Sequence, residues 1–510
     1  MNCQMDDTYI RCNIYMDDVP ISSAARVYFT GSTNFDGKVN LPRATGGYQV
    51  GIFADCKSLN SPVFIPNTYT YLFRTFENCA NFNSLVTFEE HTVCSDFGDF
   101  FANCTNYNRA TTFPDSIYNN CGYSRAFKNC TSFNQPVIIG NGAYELIDMF
   151  SNCIFFNQEI LIPESASLLM RTFTDCVSFN SPLHIPNNVT SCYQMLWNCR
   201  NYNQPTIIPD SVTDITSMFR GCRNLNSDII IGNNVLRCDY LLDHATLSIN
   251  QYEDVTPFDA NVTIGINVQN CYNMFCGLNY FNKPITIPNS VNNCAWMFGG
   301  CCNLNQPITI VSGISNCNCN SMFWNCTNFN QPIVIENGVL RSTWMFWNCT
   351  NFNQPVTVPD SVISCTSMFS RCNRFNQPVT IGNNVQNCTA MFSACLYFNQ
   401  PITIPNSVTD CGDMFTDCLS FNQDLYIPDS VTNFSGILSN TYGAGNNMHY
   451  KSTISIPFEH SGAAPYGIGL YPAANTMGAR VVVRSTGKTA TVIESFWTNG
   501  VHRDYHWEEA

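Results

Sequence analysis

The sequence predicts an α/β solenoid of about 17 stacked coils, each a short strand followed by a short helix, with the strands forming one parallel sheet and a small β region closing the C-terminal end. Three observations carry this. The dipeptide Met-Phe recurs at a fixed interval: Met345-Phe346, Met368-Phe369, Met391-Phe392 and Met414-Phe415 stand 23 residues apart. An apolar alternation such as Leu425, Ile427 recurs at the same interval. So does an asparagine that follows an aromatic or leucine side chain, as in Phe421-Asn422.

The chain begins with an alternation of Ile10, Cys12, Ile14 and Met16 against Tyr9, Arg11, Asn13 and Tyr15. Within residues 1–27 this reads as a capping strand. The repeats fill residues 28–457. In one of them, Cys411, Met414, Phe415 and Cys418 fall at i, i+3, i+4 and i+7, the pattern of one helix face. The residue before the first cysteine is a helix-capping type in Asp410, Asn387, Ser364 and Asn293. A helix of two turns is not stable alone, so each must pack on its neighbours. Leu425-Tyr426-Ile427 then alternates with the period of a half-buried strand, and Pro428-Asp429-Ser430 turns the chain back. One coil is longer. Between Leu242 and Phe275 the spacing grows to 33 residues, which places an insertion near 251–262. Residues 458–510 leave the repeat pattern. There Ala479 to Arg484 and Thr489 to Ile493 read as a hairpin that covers the last sheet edge or attaches the chain to an assembly.

Two column types are structural on this reading. The asparagines, among them Asn353, Asn376, Asn399 and Asn422, both donate and accept, so a stack of carboxamides can bridge irregular backbone from coil to coil. Most of the 29 cysteines occupy two positions of the repeat. Cys349, Cys372, Cys395 and Cys418 lie three residues after the Phe; Cys365, Cys388 and Cys411 lie four before it. Both positions face inward, so these are read as reduced core thiols, packing as small hydrophobes. Cys301, Cys302, Cys317 and Cys319 cluster in sequence, but no C-x-x-C pair or nearby histidine accompanies them, and no metal is expected. No cofactor is expected either.

Composition narrows the function classes. A formal charge of −14 opposes binding to nucleic acid, which needs clustered Lys and Arg. No run approaches the ~20 apolar residues of a membrane span, so no membrane insertion is expected. The first residues carry no basic start and no apolar run, which predicts cytosolic synthesis and folding. No P-loop, dinucleotide fingerprint, G-x-S-x-G or H-E-x-x-H occurs, and no catalytic residue is assigned. The histidines His502 and His506 have metal-like spacing but sit in a polar tail without further ligands.

Two surfaces are candidate partner sites. Four residues past each ladder asparagine lies the outward strand position, usually threonine; Ile138, Leu161, His184, Ile207 and Ile230 depart from this in five neighbouring coils. Such an apolar stripe marks an interaction surface. The second is the insertion, with Tyr252, Glu253, Asp254 and Phe258.

Ile404-Pro405-Asn406-Ser407-Val408, followed by Met414-Phe415, Cys418 and Ile427-Pro428, resembles the BspA-type leucine-rich repeat. The likeness covers most of residues 28–457. It implies a leucine-rich-repeat-like solenoid and a recognition or adhesion role without catalysis. Relatives of that type include bacterial surface adhesins and proteins of large viruses and phages. With cytosolic synthesis and reduced thiols, the expectation is a virion-associated fibre, spike or decoration protein of a phage. It would contact a protein or glycan on the host surface and join other virion proteins through its C-terminal region. The alternatives are a cell-surface adhesin and an intracellular interaction scaffold.

Overall fold

A computed structural model describes residues 29–33, 36, 39–41, 49–115, 120–243, 258–439, 441 and 452–456, and the backbone of the strands Arg480–Val483, Lys488–Thr498 and Val501–Glu509. The expected capping strand of residues 1–27 lies outside these. The chain divides into two compact units, Met1–Gly265 and Ile266–Ala510.

The solenoid is borne out in both. In the first unit, Val63–Ile65 pairs in parallel with Val86–Phe88, Thr111–Thr112 with Val137–Ile138, and Thr206–Ile207 with Ile229–Ile230. In the second, Ile285–Ile287 pairs with Ile308–Ile310 and Val356–Thr357 with Val379–Thr380. Each pairing joins residues one repeat apart, so successive coils stack in register. Strands are two or three residues long because the repeat gives each coil one inward pair, such as Ile285 and Ile287, before proline or glycine ends it.

The expected short helix is not there: among the described residues no helix occurs. Cys411, Met414, Phe415 and Cys418 are all fully buried, so the inward face was legible. The backbone that presents it is a chain of turns. Asp413 and Asp417 adopt φ of 54° and 61°, as Ser367 and Arg371 do at 51° and 64° two coils earlier. Left-handed residues at every fourth position prevent an α-helix from propagating. Alternate amides instead divide their work. Met414, Thr416 and Cys418 N–H groups donate back three residues, whereas Cys411, Asp413, Phe415 and Asp417 N–H groups donate to carbonyls of the following coil at 2.8–2.9 Å. Inter-coil bonding thus outcompetes the helix. The capping side chains remain useful in this setting: Asp410 Oδ1 accepts the Gly412 N–H and Asn387 Oδ1 the Thr389 N–H, both at 2.9 Å, as Asx-turns.

Two columns of parallel rings fill the core. Phe346, Phe369, Phe392 and Phe415 stack with centroids 5.6 Å apart. Phe352, Phe375, Phe398 and Phe421 stack at 5.8–6.0 Å alongside. The same arrangement runs through Phe127, Phe150 and Phe173 in the first unit. The thiol of Cys418 donates to the Phe392 carbonyl at 2.9 Å, and Cys349, Cys372 and Cys395 do likewise one coil earlier each. Cysteine therefore does more here than fill space, because its S–H ties each coil to the ring column of the one before. All described cysteines are free, and all but Cys302 are buried.

At the C-terminal end Leu425–Tyr426 pairs in parallel with Thr453–Ile456, which pairs with Arg480–Val483. The hairpin read from sequence is present as Arg480–Val483 against Lys488–Thr498, and a second hairpin with Val501–Glu509 extends it. The exposed edge of Thr453–Ile456 is thereby taken up by chain from beyond the repeats.

Candidate functional site

In each coil strand the first residue faces the rings and the second faces out. Val137 is buried and Ile138 is 60% exposed; Leu161, Ile207 and Ile230 are 80%, 67% and 47% exposed. Ile207 and Ile230 are directly paired in register. Leu161 lies between buried Ile160 and Ile162, and His184 precedes buried Ile185. His184 Nε2 lies 4.0 Å from Glu164 Oε1, with both side chains in solvent. The five side chains thus stand side by side on one face of the first unit. At ~4.8 Å per coil the row is about 19 Å long. Threonines close it at both ends, Thr112 paired with Ile138 and Thr263 with Ile230.

The insertion gives a different outcome. Tyr252, Glu253 and Asp254 lie outside the described residues. Phe258, expected on the outside, is 3% exposed. The reason is its place in the repeat. Asp259 N–H donates to Asn226 Oδ1 at 2.7 Å and Val262–Thr263 pairs with Ile229–Ile230. Phe258-Asp259 is therefore the aromatic–ladder dipeptide of its coil. The extra residues come before it, and its ring belongs to the core.

The carboxamide column has a simple wiring. Asn376, Asn399 and Asn422 each donate their backbone N–H to the side-chain oxygen of Asn353, Asn376 and Asn399 respectively, at 2.8–2.9 Å. Gln354 and Gln423 add side-chain bonds to the same column. The side-chain oxygens of Asn353, Asn376 and Asn399 are each taken up by the next coil, so the column holds the bend after the rings. Asn376→Ala is expected to leave the Asn399 amide without its acceptor and to cost about 1–2 kcal/mol, with partner binding unchanged. Thermal unfolding checks this: a wild-type melting temperature would remove the column's structural role.

Sequence reasoning missed two features of the second unit. Trp324 and Trp347 stack at 5.1 Å, Trp296 meets Trp324 at 5.2 Å with its ring tilted by 43°, and the Arg371 guanidinium lies over the Trp347 ring at 5.2 Å. The rings of Trp324 and Trp347 cover one another, which makes this a packed seam between coils. The residue after each Phe was not followed as a column, although Trp324 and Trp347 occupy it.

The other is a cluster of thiols. Cys294, Cys317 and Cys319 are buried, with sulfurs 3.3–3.7 Å apart. Hydrogen bonds from Cys294 and Cys319 hold the Cys317 thiol below the ordinary range, and the same bonds keep the proton on Cys294, whose thiol is pushed up. Cys301 and Cys302, grouped with them by sequence, take no part: Cys301 donates to the Phe275 carbonyl at 3.1 Å and Cys302 is half-exposed. The clue was the longer coil, which places Cys317 two residues ahead of Cys319, the cysteine four before Phe323.

The family model described as "Mycoplasma protein of unknown function, DUF285" matches residues 49–160, 122–233, 248–358 and 335–428. No curated protein matches the chain. Among solved structures, a leucine-rich repeat protein from Bacteroides ovatus ATCC 8483 is similar at 16% identity and a TM-score of 0.40, over 86% of this chain and 87% of that one. A leucine rich cell surface protein from Faecalibacterium prausnitzii A2-165 is similar at 17% identity and 0.31, over 83% and 88%. A leucine-rich repeat protein from Eubacterium ventriosum ATCC 27560 is similar at 16% identity and 0.33, over 76% and 84%.

Proposed function

The chain belongs to the DUF285 family, and on that footing we propose that it is a non-enzymatic recognition protein whose outward row of Ile138, Leu161, His184, Ile207 and Ile230 receives a partner. The supporting observation is the exposure of four large apolar side chains within five successive coils, at a position that is threonine on either side of them. Burying them would release apolar surface from water at little conformational cost, since the strands that carry them are already fixed. The partner is a protein or glycan on a host surface. The proposed setting is the exterior of a phage virion, with the C-terminal strands joining the chain to other virion proteins. Free, buried thiols favour assembly in a reducing cytoplasm. A cell-surface adhesin is the second reading; the row serves it equally.

Changing Ile207 and Ile230 together to threonine matches the neighbouring coils and preserves strand propensity. Binding to intact host cells is expected to fall about tenfold or more, with the melting temperature unchanged. Undiminished binding would remove the row from the function. Fractionation separates the two settings: the protein co-purifies with virions on the first reading and with cell envelopes on the second.

A further inference from the structure

The thiol cluster of the second unit is unlike the cysteine columns around it. In the column three residues after the Phe, the S–H groups of Cys372 and Cys395 bond a carbonyl of the previous coil, and in the column four before it Cys388 meets one other thiol, Cys365. At Cys294, Cys317 and Cys319 the sulfurs bond one another, at 3.6 Å (Cys294 to Cys317), 3.3 Å (Cys294 to Cys319) and 3.7 Å (Cys317 to Cys319). A fourth soft donor, Met322 Sδ, lies 3.8 Å from Cys294 Sγ.

The extra thiol has a structural origin. From Ile310 to Phe323 is two residues longer than from Ile404 to Phe415 in a regular coil. Asn316 takes φ of 53°, and the pairing of Cys317–Asn318 with Val339–Arg341 shifts register. This bulge turns both Cys317 and Cys319 inward beside Cys294. The first unit contains the same bulge at Cys121–Gly122 against Ala143–Glu145. There a buried Tyr123 stands where Cys319 does. The bulge therefore does not itself require three thiols.

We propose that Cys294, Cys317 and Cys319, with Met322 as the fourth soft donor, form a closed structural site for a divalent thiophilic cation of zinc's class. Zn–S bonds of ~2.3 Å in tetrahedral geometry set sulfurs about 3.8 Å apart, so the trio needs to open by only a few tenths of an ångström. Thiolate and thioether donors select soft d10 ions over magnesium or calcium. A divalent ion with three thiolates leaves a single negative charge in the core, where a monovalent ion would leave two. On binding, the three thiols lose their protons to solvent and four metal–sulfur bonds form, three to thiolates and one to the Met322 thioether, with no change of oxidation state. The ion would join the coil of Cys294 to the bulged coil, whose register shift interrupts the regular ladder.

The test uses the full chain, purified reduced and treated with chelator, then titrated with Cd²⁺ and with Zn²⁺. The folded protein is expected to take up about one equivalent, seen as a sulfur-to-cadmium charge-transfer band and as zinc retained on desalting. Cys317→Ala is expected to abolish that equivalent, while Cys388→Ala, in an ordinary column, keeps it. If Cys317→Ala does not fold, Met322→Leu decides: it retains the band and weakens binding by about tenfold. Absence of a stoichiometric band in wild type, equal binding by Cys317→Ala, affinity unaltered in Met322→Leu, or a disulfide within the trio under reducing conditions would each overturn the site.

Discussion

Phe369→Ala is expected to destabilise the second unit by about 3–5 kcal/mol, the usual range for emptying a buried phenylalanine site. The ring is fully buried and sits 5.6 Å from both Phe346 and Phe392, with Phe375 at 4.6 Å in the adjoining column. Those neighbours are clamped by the inter-coil amide bonds, so the site cannot collapse to fill the void. The loss is also shared, because each coil depends on the two beside it. Phe369→Leu, which keeps most of the volume, is expected to cost about 1.5 kcal/mol or less. Urea unfolding followed by tryptophan fluorescence reads both, since Trp296, Trp324 and Trp347 lie in nearby coils. Equal midpoints for Phe369→Ala and wild type would show that the ring columns are not what holds the coils together.

Gly338→Val is expected to cost about 3 kcal/mol or more, through a backbone conformation that a branched residue cannot share. Gly338 has φ of 110°, and a β-carbon there would lie 2.0 Å from the carbonyl oxygen of Ile314 in the preceding coil. Its own carbonyl accepts the Cys317 N–H at 2.9 Å. The glycine thus lets two coils approach where the bulge enters, and a side chain would push the bulge away. The same urea experiment applies, and a wild-type midpoint would mean that the close approach is dispensable.

The parts of the fold governed by side-chain periodicity were legible in the sequence. The 23-residue interval, the inward Phe and Cys positions and the outward position of Ile138 or Ile207 all follow from which residues recur where. The backbone of the turn stretch did not follow. A run of Cys411, Met414, Phe415 and Cys418 satisfies a helical period as well as two linked turns do, because both turn the same side chains inward. The distinguishing signal lay one residue before the cysteine, where Asn78, Asn103, Asn129, Asn152, Asn198, Asn325, Asn348 and Asp417 gather residue types that tolerate positive φ. Phe258 was misplaced because its coil carries aspartate instead of the ladder asparagine, and only the bond of Asp259 to Asn226 puts the dipeptide in the column. The convergence of Cys317 with Cys294 depended on a register shift, which a single sequence does not print.

The forward-donating amides of the turn stretch give each unit an electrical direction. Peptide groups such as those from Phe415 to Ile437 and from Phe392 to Met414 point the same way from coil to coil, so their dipoles add along the stacking axis as they do within an α-helix. The terminal coil on the C-terminal side of such a column would present bare N–H groups and a partial positive charge, and the opposite end bare carbonyls. Two ends of opposite polarity are not interchangeable. Whatever closes the C-terminal end of such a column must therefore supply acceptors as well as cover.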